Sequence, residues 1–102
     1  MESLVFAALV EPPRRAILEL LREEERSAGD IVVALGMSQP AVSKHLRVLR
    51  EAGLASARVD GARRIYRLEP GPLVELNAWV GGFRRYWDDR LDALQRHLDR
   101  EC

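Results

Sequence analysis

The sequence is poor in the residues that staple a fold or hold a metal. Its one cysteine, Cys102, is the last residue. A lone thiol closes no internal disulfide, so the expectation is a solvated tail thiol in a reducing, cytoplasmic setting. No apolar run approaches the roughly 20 residues that a membrane span needs. The opening Met1-Glu2 lacks a basic leader, so no secretory signal is expected. There is no phosphate-cradling glycine loop and no activated-nucleophile motif, which argues against an enzyme. Internal repeats and low-complexity segments are also absent. Even net charge is missing: the formal value is +0, which taken alone argues against a general nucleic-acid binder.

What charge there is lies unevenly. Between Met37 and Leu68 stand seven basic residues (Lys44, Arg47, Arg50, Arg58, Arg63, Arg64 and Arg67) against two acids, Glu51 and Asp60. That stretch carries +5 and the remainder −5. Such a layout suits one face touching DNA while the rest stays solvated.

A chain of 102 residues is expected to form one domain, 1–102. Ser3 to Val10 is short and apolar, and reads as a helix. Pro12-Pro13 suits the first turn of a second helix, where the missing N–H groups cost nothing. Ile17, Leu20 and Leu21 share one face of it. Ser27 followed by Asp30 resembles a capping box opening a third, short helix, with Ile31, Val32, Ala34 and Leu35 on its buried side. Gly36 ends that helix. Ser38 caps a fourth, running from about Gln39 to Ala52 with Gly53 as terminator. The period then changes. Leu54 to Val59 and Arg63 to Leu68 read as strands, with Asp60-Gly61 between them as a hairpin turn whose positions want positive φ. Pro70-Gly71-Pro72 breaks the chain before a final helix from about Pro72 to Arg100. The expected fold is mainly α with a small β-hairpin wing: a winged helix-turn-helix of about five helices. The helix-turn-helix would occupy 27–53 and the wing 54–68.

Two helices joined by a short glycine-bearing turn, here Gly36-Met37-Ser38, are the mark of the helix-turn-helix, whose second helix enters the major groove. At 100° per residue Val42, Leu46 and Leu49 fall on one face of the fourth helix, which must be the core side. Pro40, Ser43, Lys44, Arg47 and Glu51 fall opposite, with Gln39 and Arg50 on a flank. An amide, hydroxyls, an ammonium and a guanidinium are groups that pair with base edges and phosphates. The candidate DNA contacts are therefore Ser38, Gln39, Pro40, Ser43, Lys44 and Arg47, joined by Arg58, Arg63 and Arg64 near the wing tip. Arg67 is as readily structural. His45, beside the core face, reads as a packing residue.

The run from Met37 to Leu54, together with Pro12-Pro13-Arg14-Arg15-Ala16-Ile17-Leu18 and the Asp60-Gly61 hairpin, resembles the arsenic-repressor-like (ArsR) regulators over nearly the whole chain. The resemblance implies a dimeric bacterial or archaeal repressor with its first and last helices at the dimer interface. By the same resemblance Ser38, Gln39, Ser43 and Lys44 touch DNA. Family members that sense metals carry a thiolate pair before the fourth helix, or His and carboxylate ligands on the last. This chain has no cysteine between Ala28 and Leu35. Its last helix holds Asp88, Asp89, Asp92, Asp99 and Glu101 but one histidine, His97. A member without a metal site or other cofactor is expected.

The last helix also carries Leu73, Leu76, Val80, Phe83, Trp87, Leu91, Leu94 and Leu98 at steps of three or four, a sustained apolar stripe. The stripe is longer than a small helical core covers, which independently suggests a homodimer. The expected interface residues are Leu4, Phe6, Leu76, Val80, Phe83, Trp87, Leu91, Leu94 and Leu98, on helices spanning 1–10 and 72–100. Trp79, Phe83, Tyr86 and Trp87 read as dimer core, the other reading being a pocket for an unidentified small-molecule effector. Gly81-Gly82 signals close helix approach or a bend. The expected function is a sequence-specific transcriptional regulator, a repressor on an inverted-repeat operator of double-stranded DNA. The alternative is a winged-helix protein-interaction module.

Overall fold

The computed structural model describes residues 3–101, with side chains for 4–100; Met1, Glu2 and Cys102 lie outside it, and so do the readings made on them. The elements in order are α1 (Ser3–Val10), α2 (Pro12–Glu23), β1 (Arg26–Ser27), α3 (Ala28–Leu35), α4 (Gln39–Glu51), β2 (Ala55–Asp60), β3 (Arg63–Leu68) and α5 (Gly71–Glu101). They form two compact units, the first ending at Pro72 and the second starting at Leu73.

Local chemistry explains most boundaries of the first unit. Pro12 and Pro13 open α2. Ahead of them, α1 runs out of its own donors, and α2 supplies replacements. Arg14 Nε and Nη2 donate to the Ala8 and Ala7 carbonyls at 2.8 and 2.9 Å. Arg15 Nη1 donates to Leu9 and Val10 at 2.6 and 3.0 Å. Two cations thus satisfy the orphan carbonyls of α1 and complement its dipole. At α3 the capping box is complete: Asp30 N–H donates to Ser27 Oγ and Ser27 N–H to Asp30 Oδ2, both at 3.1 Å. Such a cap contributes about 1 kcal/mol. Gly36 closes α3 at φ 64 and ψ 28, the left-handed region. Gly53, at φ 76, does the same for α4. Its N–H bonds Arg50 O, and Leu54 N–H reaches back to Leu49 O at 2.9 Å. This is a Schellman closure, with Leu54 buried behind it.

The core joins α2, α3, α4 and the sheet. Ala8, Ile17, Ile31, Leu46, Leu49, Leu54 and Val42 are fully buried, with Val5 of α1, Leu18, Leu21, Ile65 and Tyr66 nearly so. Each large member stabilises the fold by about 1.5–3 kcal/mol relative to exposure. On α2 the buried set is Ile17, Leu18 and Leu21; Leu20, expected there, is only half-buried. On α3 only Ile31 is fully buried, and Ala34 is exposed rather than packed. An eight-residue helix lying across its neighbours covers a narrower stripe than its apolar content suggests.

The wing differs from expectation in two respects. It is a three-stranded antiparallel sheet, ordered β1-β3-β2, because Arg26 pairs with Tyr66 and Ser27 with Ile65. The hairpin register sets Asp60 opposite Arg63, so the turn is Gly61-Ala62, not Asp60-Gly61. Of these residues only Gly61 has positive φ, 65, as in hairpin turns that place glycine first. Asp60 belongs to the ladder.

The second unit is the body of α5. Phe83, Trp87, Leu91, Leu94 and Leu98 are 47–59% exposed. Trp79 and Phe83 meet edge to face at 4.8 Å between centroids, and Tyr86 and Trp87 at 5.6 Å.

Candidate nucleic-acid interface

Burial of Val42, Leu46 and Leu49 fixes the rotation of α4. The opposite face is thereby turned to solvent: Ser38, Gln39, Pro40, Ser43, Lys44, Arg47, Arg50 and Glu51 are all exposed. Ser38 Oγ accepts from Ala41 N–H at 3.3 Å, so this side chain is committed to capping α4.

The fold brings the first turn of α4 beside the wing. An open groove of about 400 Å³ is lined by Gln39 and Ser43 of α4, Arg63, Arg64 and Tyr66 of β3, and Ser27, Ala28 and Gly29 at the start of α3. Four of the residues expected to touch DNA (Gln39, Ser43, Arg63 and Arg64) thus line one surface. Arg58 is not among them. It lines a separate hollow of about 230 Å³ with Ser56, Ala57, Ile65 and Arg67. Arg47 and Arg50 border a third groove, with Glu51 and Ala55 to Ala57, of about 510 Å³.

Spacing along the chain did not show that the cations divide into two kinds. Lys44, Arg47, Arg50 and Arg64 make no ion pair among the described residues. The other three are held by carboxylates. Arg58 Nη2 lies 2.9 Å from Glu25 Oε2, with Asp60 at 3.8 Å. Arg63 Nη2 donates to Asp30 Oδ2 at 3.0 Å and to Ser27 Oγ at 2.9 Å. Arg67 Nε bonds Glu69 Oε1 at 2.8 Å, and Ser56 Oγ donates to the same oxygen at 2.6 Å. Arg67 is therefore engaged by its own strand's neighbour Glu69 and by Ser56 of β2 in the free protein. The Ser27 backbone N–H and hydroxyl, followed by Arg63, hold the Asp30 carboxyl below its usual range. Hydrogen bonds from Ser56 and Arg67 do the same for Glu69. The Glu25 hydrogen bond and charge push the Arg58 guanidinium up. Glu25, Asp30 and Glu69 were not singled out as wing partners from sequence. No short-range pattern connects position 30 to position 63.

His45 joins α4 to α2. Arg14 Nη1 lies 3.4 Å from its Nδ1, and because a guanidinium only donates, this contact favours the tautomer with its proton on Nε2. Burial, then the Arg14 and Lys44 charges, lower its pKa, with Glu11 opposing. Among the described residues no group of three or more His, Cys, Asp or Glu is placed to hold a metal ion. No described helix is long and apolar enough to cross a membrane.

Comparison with known proteins bears on this surface. Residues 11–57 match the family described as bacterial regulatory protein, arsR family. The HTH-type transcriptional regulator Rv2034 of Mycobacterium tuberculosis is 37% identical over 96 residues, covering 94% of this chain and 87% of that protein. The transcriptional repressor SdpR of Bacillus subtilis is 34% identical over 87 residues, covering 85% and 97%. Among solved structures, an ArsR-like transcriptional regulator from Rhodococcus superimposes with a TM-score of 0.78 at 30% identity, covering 95% of this chain and 89% of its own. The solution structure of a homodimeric winged helix-turn-helix DNA-binding domain from Mycobacterium bovis gives 0.67 at 34% identity, covering 81% and 77%.

Proposed function

Because the chain belongs to the arsR family of bacterial regulatory proteins, we propose that it represses transcription as a homodimer seated on an inverted-repeat operator. It is a winged helix-turn-helix regulator, not an enzyme. The observation that carries the proposal is the groove uniting Gln39 and Ser43 with Arg63 and Arg64. A helix whose first turn is polar and whose flank is cationic suits the major groove, with the wing beside it on phosphate or minor groove. In this reading Gln39, Ser43, Lys44 and Arg47 meet base edges and nearby phosphates, and Pro40 shapes the first turn. Ser38 contacts DNA through what its capping bond leaves free. Arg64 is the wing cation without an ion pair among the described residues, while Arg63 and Arg58 must first leave their carboxylates.

The homodimer rests on a second support. Phe83, Trp87, Leu91, Leu94 and Leu98 leave an apolar stripe on α5, and Leu4 and Phe6 are 52% and 38% exposed on α1. A second copy that covers the α5 stripe, with Leu76 and Val80 at its start, removes a patch that soluble monomers avoid. The exposed faces of α1 and α5 are the proposed dimerisation surfaces. The edge-to-face aromatic pairs then serve as interface core. One domain over 1–102 and a cytoplasmic setting belong to the same reading. So does the absence of metal sensing, because no cysteine precedes α4 and α5 carries one histidine. A small-molecule effector would act only by binding DNA-competent and incompetent states unequally.

The test is binding of the purified protein to the upstream region of its own operon across a salt series, with an unrelated duplex as control. Saturable, selective binding by a dimer, falling steeply with salt, is the expected result. Equal, weak binding to both duplexes overturns the proposal in favour of a protein-interaction module.

A further inference from the structure

Two wing cations are occupied in the free protein by acids from outside the hairpin, and both acids come from the segment between α2 and the first turn of α3. Glu25 precedes β1 and holds Arg58 at 2.9 Å. Asp30, in the first turn of α3, holds Arg63 at 3.0 Å. The Arg63 site is a small network. Ser27 Oγ accepts from both Asp30 N–H and Arg63 Nη2, and Asp30 Oδ2 accepts from both Ser27 N–H and Arg63. The same Arg63 lines the groove shared with Gln39 and Ser43. Carboxylate and phosphate are interchangeable partners for the guanidinium fork. All four side chains are 43–59% exposed, so neither pair is desolvated and each is open to exchange.

We infer that Asp30 and Glu25 are internal counter-anions of the wing, positioning Arg63 and Arg58 in the free protein and giving way to DNA phosphate on binding. The inference rests on the DNA-binding reading above and concerns how strongly that surface binds. It assigns two acidic residues the role of weakening the complex. Each pair must open before its arginine meets DNA, so phosphate competes with an internal carboxylate for each guanidinium. The wing would consequently be ordered before DNA arrives, at the expense of affinity. Removing either negative charge should tighten binding, and only while the matching arginine is present. That dependence separates the role from simple capping, because loss of a cap weakens folding whichever residue stands at 63.

The test is a pair of double-mutant cycles, measured by fluorescence anisotropy on a duplex from the upstream region of the chain's own gene and on an unrelated duplex. Asp30→Asn keeps an oxygen to accept from Ser27 N–H, so α3 stays capped. It should bind about two- to fivefold more tightly than wild type, the range set by a surface ion pair. In an Arg63→Ala background the gain should vanish. Glu25→Gln caps nothing and provides a second cycle with Arg58→Ala, with the same expectation. Thermal melts confirm that each variant is folded. If wild type binds but both Asp30→Asn and Glu25→Gln bind no better, or gain equally without their arginines, the inference is overturned alone. If wild type binds neither duplex, the DNA-binding reading falls and takes the inference with it.

Discussion

His45 sits on α4 with the Arg14 guanidinium against its Nδ1, and Arg14 at the same time closes the end of α1. One side chain therefore connects α4 to the first helix of the chain. A second proton on His45 would turn Nδ1 into a donor facing a cation. Its folded pKa lies below the ordinary 6.5 because of burial, Arg14 and Lys44, against which Glu11 acts. The unfolded chain therefore takes up that proton first as pH falls. The His45 contribution to stability is fully present above 6.5 and is lost as pH drops from there through the lowered folded value. His45→Gln should flatten this part of the profile, as read from denaturant midpoints between pH 7.5 and 5; an unchanged profile would reject the assignment. Lys44 illustrates a different residue-level property, charge without an ion-pair partner among the described residues. Lys44→Ala should leave the melting temperature nearly unchanged and weaken DNA binding. The log–log salt slope should fall by about 0.9 if Lys44 neutralises one phosphate.

At the level of elements, caps and turns determine where α3, α4 and the hairpin begin and end. Gly53 takes φ 76 at the end of α4, and a Cβ there would meet Pro72 Cγ at 3.6 Å, an ordinary contact. The penalty for Gly53→Ala is thus conformational rather than steric. It should cost about 1–2 kcal/mol, seen as a lower urea midpoint with an unchanged m-value. The junction matters because Leu54, immediately after it, is fully buried and sets the wing's starting point on the core. The hairpin shows the limit of local rules. Aspartate before glycine signals a turn, but either Asp60-Gly61 or Gly61-Ala62 satisfies that signal. Pairing of Ala55 with Leu68 and Ser56 with Arg67 selects the second. Likewise β1 is too short to read from its own residues. It exists because Tyr66 and Ile65 offer a free edge on β3.

For the whole molecule, the stripe from Phe83 to Leu98 is the feature with the largest consequence. It leaves Phe83, Trp87, Leu91, Leu94 and Leu98 each roughly half exposed to solvent. Leu94→Glu should yield monomers in sedimentation equilibrium and lower operator affinity sharply, since two recognition helices about 34 Å apart need both copies. A dimer of unchanged stability would refute the proposed interface. By itself the sequence determined the order of the five helices and the two hairpin strands, the capping of α3 by Ser27 and Asp30, the left-handed stop at Gly36, the core face of α4 and the apolar stripe on α5. All of these depend on neighbours within one or two turns, where spacing and side-chain chemistry suffice. Tertiary structure alone decided that Gln39 and Ser43 share a groove with Arg63 and Arg64. It also decided that Leu18 rather than Leu20 is buried on α2, and that three wing arginines are held by Asp30, Glu25 and Glu69 while Arg64 meets no carboxylate among the described residues. Two of those carboxylates lie 33 residues from their arginines. Only closure of the chain around the core brings such charges within hydrogen-bonding distance, and no periodicity along the sequence encodes it.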